Sequence, residues 1–253
     1  MKKGKVYGVG VGPGDPELLT LKALRLLRAA PVVAYPAPEG GESLARRIVA
    51  GFLDPAQKEI AIEVPMVPDR DAPRAAYRRA LPALAAELDA GRDVVILCLG
   101  DPFLYGSFMY LFALLAEDYR VEIVPGISSL TACAAVSRMP LAGSNDVLSI
   151  LPAPMAEAEL EACIAVCDAA AIIKLGRHFA KVRGLLDRLG LISRARYVAR
   201  ATLPGEQVLP LSEIDANAEV PYFAMILLHK RGAAWMDIRG ASFETALKGA
   251  SSG

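Results

Sequence analysis

Three short loops carry the residues of this chain that could hold a small ligand, and each follows an apolar run that predicts a β-strand. The loops read GVGVGPGDP from Gly8, LGDPFLYGS from Leu99 and VPGISS from Val124. In a parallel α/β sheet, ligands bind beyond the carboxyl ends of the strands. Glycine lets another surface come close to the backbone, and hydroxyls at a helix N-terminus suit a carboxylate. The loops therefore predict a backbone platform for a small ligand that contains a nucleoside.

The first loop does not fit the fingerprint of a dinucleotide site. A G-x-G-x-x-G motif that starts at Gly8 or Gly10 needs a final glycine where Pro13 or Asp15 stands. An acidic residue at a helix start would repel a pyrophosphate, so Asp15 is better interpreted as an N-cap that precedes Pro16. The second predicted strand also lacks an acidic residue at its end. These features disfavour a nicotinamide-dependent oxidoreductase.

The cysteines and histidines do not form a metal-binding pattern. No two cysteines have C-x-x-C spacing, so the sequence predicts no metal site and four small buried hydrophobes in a reducing compartment. The residues concerned are Cys98, Cys133, Cys163, Cys167, His178 and His229.

Composition argues against several classes of partner. The 253 residues are 54% hydrophobic, and 28 basic residues balance 28 acidic ones. Nucleic-acid binders and cationic membrane-surface proteins usually carry a basic excess, so we expect neither partner. No apolar run approaches the ~18 residues of a membrane span, and glycines interrupt the apolar start of the chain. We expect a cytoplasmic protein.

Predicted strands and helices alternate along most of the chain. This order is typical of α/β domains with mainly parallel sheets and helices on their faces. The pattern restarts near Asp146, after the loop MPLAGSN that begins at Met139. We therefore predict an N-terminal α/β domain over 1–140, a C-terminal α/β domain over 146–240 and a frayed tail over 241–253.

Four segments together resemble the tetrapyrrole (corrin and porphyrin) methylase family. They are GVGPGDPELLTLKA from Gly10, GDPFLYGSF from Gly100, VPGISS from Val124 and RATLPGEQ from Arg200. Each is weak alone, but they occur in the family's order and spacing over nearly the whole chain. The resemblance implies two α/β domains with a cofactor cleft between them, a homodimer, and S-adenosylmethionine held largely by backbone groups.

The resemblance also implies which residues border the cofactor. The expected positions lie in the three loops, after two strands of the C-terminal domain and on its last strand. They are Pro13, Leu99, Gly100, Asp101, Leu104, Ser128, Ser129, Leu175, Ala201, Thr202 and Met225.

Within the family, two stretches resemble the branch that methylates the C20 meso carbon of precorrin-2. One runs from Ala34 through Tyr35-Pro36 to Arg46, and the other is GSFMY from Gly106. The enzymes that act on uroporphyrinogen III usually carry an aspartate where Tyr35-Pro36 stands here. Because arginine forks suit carboxylates, Arg46, Arg47 and Arg177 are candidates for binding the acetate and propionate arms of the substrate. No residue is assigned as a catalytic base.

Three alternatives stay open at this point. The substrate could carry cobalt, as in the cobalt-factor II counterpart of this branch. Methylation could occur at another position of the corrin ring. The chain could also be a non-catalytic module that senses S-adenosylmethionine.

Overall fold

The structure is a computed structural model that describes residues 2–65 and 72–231. The chain divides into two compact units, Met1–Ser129 and Leu130–Gly253. The predicted boundaries at residues 140 and 146 stay predictions, and the predicted tail over 241–253 lies outside the described residues. Within the described ranges, no helix is both long and apolar enough to cross a membrane.

The first unit is built on a five-stranded parallel sheet with the order β3-β2-β4-β1-β5. The strands are β1 (Val6–Gly10), β2 (Val32–Pro38), β3 (Lys58–Val64), β4 (Val94–Cys98) and β5 (Val121–Val124). The helices between them are α1 (Leu21–Ala29), α2 (Leu44–Val49), α3 (Ala72–Asp89) and α4 (Phe108–Leu115).

Both faces of this sheet are covered, as the unbroken apolar run of β4 predicts. Val94, Ile96 and Cys98 lie in one core cluster, which includes buried residues of α3 and α4. Val95 and Leu97 lie in the other, which includes buried residues of α1 and α2. The period-two alternation of β4 thus separates two hydrophobic cores.

Side-chain caps determine where the helices of the first unit begin. The hydroxyl of Thr20 accepts a hydrogen bond from the amide of Ala23 at 3.1 Å, and that of Ser43 accepts one from Arg46 at 3.2 Å. Asp15 accepts from the Glu17 amide at 2.8 Å and starts a single 3₁₀ turn, Pro16–Leu18. The interpretation of Asp15 as a cap is confirmed, although α1 itself begins five residues after Pro16, at Leu21.

The second unit contains a mixed sheet with the order β6-β7-β10-β8-β9. Its strands are β6 (Leu148–Pro152), β7 (Ala169–Ile173), β8 (Ala195–Ala199), β9 (Gln207–Pro210) and β10 (Ala224–His229), and its helices are α5 (Ser129–Val136), α6 (Glu157–Val166) and α7 (Phe179–Arg188). Helix α5 begins at Ser129, which is the last residue of the first unit.

Pairing in this second sheet is parallel only between β6 and β7. Strand β10 is antiparallel to both β7 and β8, and β9 is antiparallel to β8. A short connection over residues 200–206 joins β8 to β9, and such connections impose antiparallel pairing, whereas parallel pairing requires a longer crossover. The predicted α/β fold is confirmed, and the first sheet is parallel as predicted. The second sheet differs from the prediction of mainly parallel sheets, because three of its four strand pairs are antiparallel.

Glu87 gives the first unit a stability that depends on pH. Its side chain is 4% exposed and accepts hydrogen bonds from Arg92 Nε at 2.6 Å and Lys58 Nζ at 2.7 Å. The bond from Arg92 and then that from Lys58 lower the pKa of Glu87 from 4.5 to about 2. Because the folded pKa is the lower one, the ionised carboxylate stabilises the fold above the unfolded pKa. That stability is lost as the pH falls through the folded pKa.

We expect Glu87→Gln to lower the free energy of unfolding by about 1–2 kcal/mol at pH 7, a modest value because both cations are half exposed. Urea denaturation of the variant and the wild type at pH 7 and at pH 3 measures the difference, with exposed Glu117→Gln as the control. The difference should shrink at the lower pH. A difference of equal size at both pH values would contradict the account.

Candidate functional site

The three predicted loops meet at one edge of the first sheet. Strand β1 lies between β4 and β5 and is parallel to both, so the carboxyl ends of all three strands lie at the same edge. The Gly100 amide donates to the Gly12 carbonyl at 2.8 Å, and the Gly12 amide donates to the Gly100 carbonyl at 3.4 Å. Both glycines have positive φ, +78° at Gly12 and +67° at Gly100. The first two loops therefore form one hydrogen-bonded surface.

Gly10 and Gly126 bring the third loop onto this surface. A Cβ on Gly126 would lie 2.0 Å from the Gly100 carbonyl oxygen and 2.7 Å from Gly10 Cα. A Cβ on Gly10 would lie 2.5 Å from Gly126 Cα. Gly10 and Gly126 therefore pack directly against backbone of the neighbouring loops. No side chain fits between the loops at these two positions.

Gly100 is different, because the space beside it is open. The nearest heavy atom to a Cβ built there is the Ile127 carbonyl oxygen, at 3.9 Å. Glycine is favoured at this position by its positive φ of +67° and not by crowding. A Cβ at Gly100 would therefore meet no clash, although Gly100 itself is buried.

The Asp101 carboxylate connects the second loop to the third. Oδ1 accepts a hydrogen bond from the Phe103 amide at 2.9 Å, and Oδ2 accepts one from the Gly126 amide at 3.1 Å. Asp101 also contributes, after burial, to raising the pKa of the Cys98 thiol, which is buried at the end of β4. This thiol is therefore protonated at neutral pH and unsuited to nucleophilic chemistry.

The remaining predicted residues of the first unit follow the same loops. Pro13 is buried in the first loop, and Leu99 is half-buried beside Gly100. Ser128 and Ser129 lie where the third loop leads into α5. Several large apolar side chains of the second and third loops and of α4 are 37–47% exposed, namely Phe103, Leu104, Tyr105, Met109 and Ile127. The surface at this edge is therefore apolar as well as rich in backbone groups.

In the second unit, the predicted residues follow β7 and β8 or lie in β10. Strands β7 and β8 are both antiparallel to β10, so their carboxyl ends lie at one edge of that sheet. Ala201 and Met225 lie in the same buried cluster. Leu175, with no exposed surface, packs in the core on the other face of the sheet, with α6 and α7. Any ligand contact of Leu175 would therefore involve its backbone. The Thr202 amide donates to Glu206 Oε2 at 2.6 Å.

Two residues that the sequence analysis did not select stand out at this edge. Lys174 and Arg200 are exposed and have positive φ, +59° and +53°, as does Thr202 at +62°. Such backbone conformations in residues other than glycine concentrate at functional sites. The Arg200 amide donates to the Phe223 carbonyl at 2.7 Å, which joins the end of β8 to the start of β10. No sequence signal marks these positions.

The three candidate arginines differ in their surroundings. Arg46 makes a bidentate contact with Glu59 through Nε at 2.7 Å and Nη2 at 2.9 Å. Hydrogen bonding to Glu59 raises the pKa of Arg46, and burial, followed by the bond to Glu59, raises the pKa of Tyr35. Arg47 and Arg177 are exposed. The guanidinium of Arg46 is thus engaged within the fold, whereas Arg177 extends from the turn that precedes α7.

Comparison with known proteins shows the class to which this fold and its joined glycine loops belong. Residues 5–215 match the model of the Tetrapyrrole (Corrin/Porphyrin) Methylases. The chain belongs to this family. Among curated proteins, it is 41% identical over 233 residues to the precorrin-2 C(20)-methyltransferase of a Sinorhizobium species, an alignment that covers 89% of this chain and 95% of that one. It is 34% identical to the cobalt-precorrin-2 C(20)-methyltransferase of Salmonella typhimurium, over 90% of this chain and 97% of that one.

Solved structures of the family share the fold. The uroporphyrin-III C-methyltransferase of Thermus thermophilus, solved in complex with S-adenosylhomocysteine, aligns with a TM-score of 0.68 at 27% identity, over 96% of this chain and all of that one. A cobalt-precorrin-4 methyltransferase also aligns with a TM-score of 0.68, at 25% identity over 89% of this chain and 94% of the other.

Proposed function

We propose that this protein transfers a methyl group from S-adenosylmethionine to the C20 meso carbon of precorrin-2, which gives precorrin-3A in corrin biosynthesis. The observation that carries the proposal is the 41% identity to a precorrin-2 C(20)-methyltransferase over nearly the whole of both chains. The relatives named for the cobalt-loaded substrate are 34% and 33% identical. The higher identity to the relative named for precorrin-2 favours the metal-free substrate over its cobalt-loaded counterpart.

The residues present fit S-adenosylmethionine. The space beside Gly100 and the partly exposed apolar side chains of Leu104 and Ile127 suit a ligand with a nucleoside part. We propose that the residues implied by the family resemblance border it, namely Pro13, Leu99, Gly100, Asp101, Leu104, Ser128, Ser129, Leu175, Ala201, Thr202 and Met225. The bound cofactor supplies a sulfonium methyl group that is already activated for transfer.

The work left to the protein is to position the two reactants. The loops hold their shape through backbone contacts, so the surface that faces the cofactor is formed before binding and costs little ordering. The acceptor carbon of a reduced tetrapyrrole is electron-rich, so alignment in a dry, shaped site matters more than a strong base. We assign no catalytic base.

A calorimetric titration tests the cofactor assignment. Both S-adenosylmethionine and S-adenosylhomocysteine should release or absorb heat with one site per chain, and the result should not change in a chelator. Absence of heat at high concentrations of both ligands would contradict the proposal. The homodimer and the cytoplasmic location that the family resemblance and the sequence suggest stay predictions.

Arg177 is the best candidate to bind a carboxylate arm of the substrate, because it is exposed at the carboxyl end of β7. We expect Arg177→Ala to raise KM for the tetrapyrrole about tenfold, since a hydrogen bond to a charged group is lost, and to leave KM for the cofactor unchanged. Steady-state kinetics with each substrate varied in turn measures both constants.

Arg46→Ala is the matched control for this experiment. Because Arg46 is paired with Glu59, its loss should lower the free energy of unfolding by about 1 kcal/mol without a comparable rise in KM. If Arg46→Ala raises KM and Arg177→Ala does not, the substrate arm binds in the first unit and the assignment to Arg177 is wrong.

A further inference from the structure

The Asp101 carboxylate has an unusual pair of partners. One oxygen accepts from the Phe103 amide, two residues along the same loop, at 2.9 Å. The other accepts from the Gly126 amide, 25 residues away in the third loop, at 3.1 Å. A carboxylate can accept at both oxygens at once, whereas an asparagine offers a single acceptor oxygen and a donor NH₂ group. An aspartate can therefore accept from both backbone amides, one at each carboxylate oxygen.

The Gly126 amide belongs to the most tightly packed contact of the site. Gly126 lies directly against Gly10 and the Gly100 carbonyl, as the space around its absent Cβ shows. Gly100 in turn exchanges backbone hydrogen bonds with Gly12. If Gly126 moved, the residues of all three loops that pack against it would therefore move as well. Ser128 and Ser129, which follow it at the start of α5, would also shift.

From this geometry we infer that the Asp101 carboxylate is a positioning group: it fixes the third loop against the second and so shapes the cofactor surface, and the border of Asp101 with the cofactor is left to its backbone. The inference rests on the proposed function for its effect on ligand binding. An Asp101→Asn substitution leaves the volume unchanged and presents an NH₂ group to one of the two backbone amides, so one of the two contacts must break.

The test compares binding of S-adenosylmethionine and S-adenosylhomocysteine by wild type, Asp101→Asn and Asp215→Asn. Asp215 accepts from the Asn217 amide at 2.8 Å in an exposed loop, so its variant loses the same kind of local bond without a long-range partner. We expect Asp101→Asn to weaken both ligands about tenfold and Asp215→Asn to weaken neither. A loss confined to S-adenosylmethionine, the ligand with the charged sulfonium, would show a direct charge contact and overturn the inference.

Amide hydrogen exchange without ligand separates positioning from other roles. In Asp101→Asn the Gly126 amide should exchange about tenfold faster than in wild type, while the melting temperature falls by only a few degrees. Unchanged exchange at Gly126 would overturn the inference even if binding weakened. If wild type bound neither ligand, the proposed function would fail, and the exchange comparison alone would decide the role of Asp101. If the variant did not fold, the wild type alone would still test the inference. Rapid exchange of its Gly126 amide would show that the hydrogen bond to Asp101 does not hold the third loop, and would overturn the inference.

Discussion

Gly126→Ala should lower the free energy of unfolding of the first unit by about 3 kcal/mol, which corresponds to a fall of about 10 °C in melting temperature. The added methyl group would lie 2.0 Å from the Gly100 carbonyl oxygen and 2.7 Å from Gly10 Cα. Both neighbours are backbone, so no side chain can rotate away to relieve the clash. The loops must separate, and we expect cofactor binding to be lost with them.

The matched control is Gly51→Ala in the same unit. A Cβ at Gly51 has no neighbour within 4 Å, and the residue lies in an exposed 3₁₀ turn, Ala50–Phe52. Thermal unfolding and calorimetry of both variants should show a change of less than about 0.5 kcal/mol for Gly51→Ala. Equal stability of the two variants would mean that the loops do not pack as closely as described.

Gly100→Val should abolish binding of the cofactor, with a loss of at least about 100-fold, while the protein still folds. The side chain would enter the open space beside the platform, where the nearest heavy atom is 3.9 Å from the Cβ. The positive φ of +67° adds about 1–2 kcal/mol of backbone strain for a residue with a Cβ, which a folded domain can tolerate. Calorimetric titration and thermal unfolding measure the two effects separately.

Gly190→Val separates backbone strain from obstruction of the site. Gly190 has the same φ of +67°, and a Cβ there has no neighbour within 4 Å, but it follows α7, away from every predicted site residue in the sequence. The two variants should lose similar stability, and only Gly100→Val should lose cofactor binding. Normal binding by Gly100→Val would show that the second loop is only a turn.

Local signals were enough to predict most of the first unit. The apolar run of β4 and the helical spacing in α4 predict these elements within a residue of their observed ends, because each is buried and strongly patterned. Strand β9 carries a weak sequence signal, because its four residues include a proline and are partly exposed. Pro82 lies inside α3, and a proline within a helix removes a backbone hydrogen bond and usually kinks or breaks the helix. The helix continues from Ala72 to Asp89, with Leu84 and Leu88 buried in the core.

The site could be predicted only in part, because some of its features depend on contacts between segments that are far apart in the sequence. Glycine-rich loops after apolar strands are visible in a sequence, so the three loops were found. The pairing of Arg46 with Glu59 joins α2 to β3 and becomes visible only once these elements pack together. The positive φ values of Lys174 and Arg200 are equally hidden, because nothing in their residue types indicates such a conformation.

One measurement tests the central claim most directly. The protein is incubated with precorrin-2 and S-adenosylmethionine labelled with ¹³C in its methyl group, and the product is examined by mass spectrometry and carbon NMR. We predict one added methyl group and a single labelled signal on the C20 meso carbon. A label on a pyrrole-ring carbon, or turnover of uroporphyrinogen III in preference to precorrin-2, would contradict the proposed reaction. Turnover of the cobalt-loaded substrate alone would assign the protein to the cobalt-dependent counterpart.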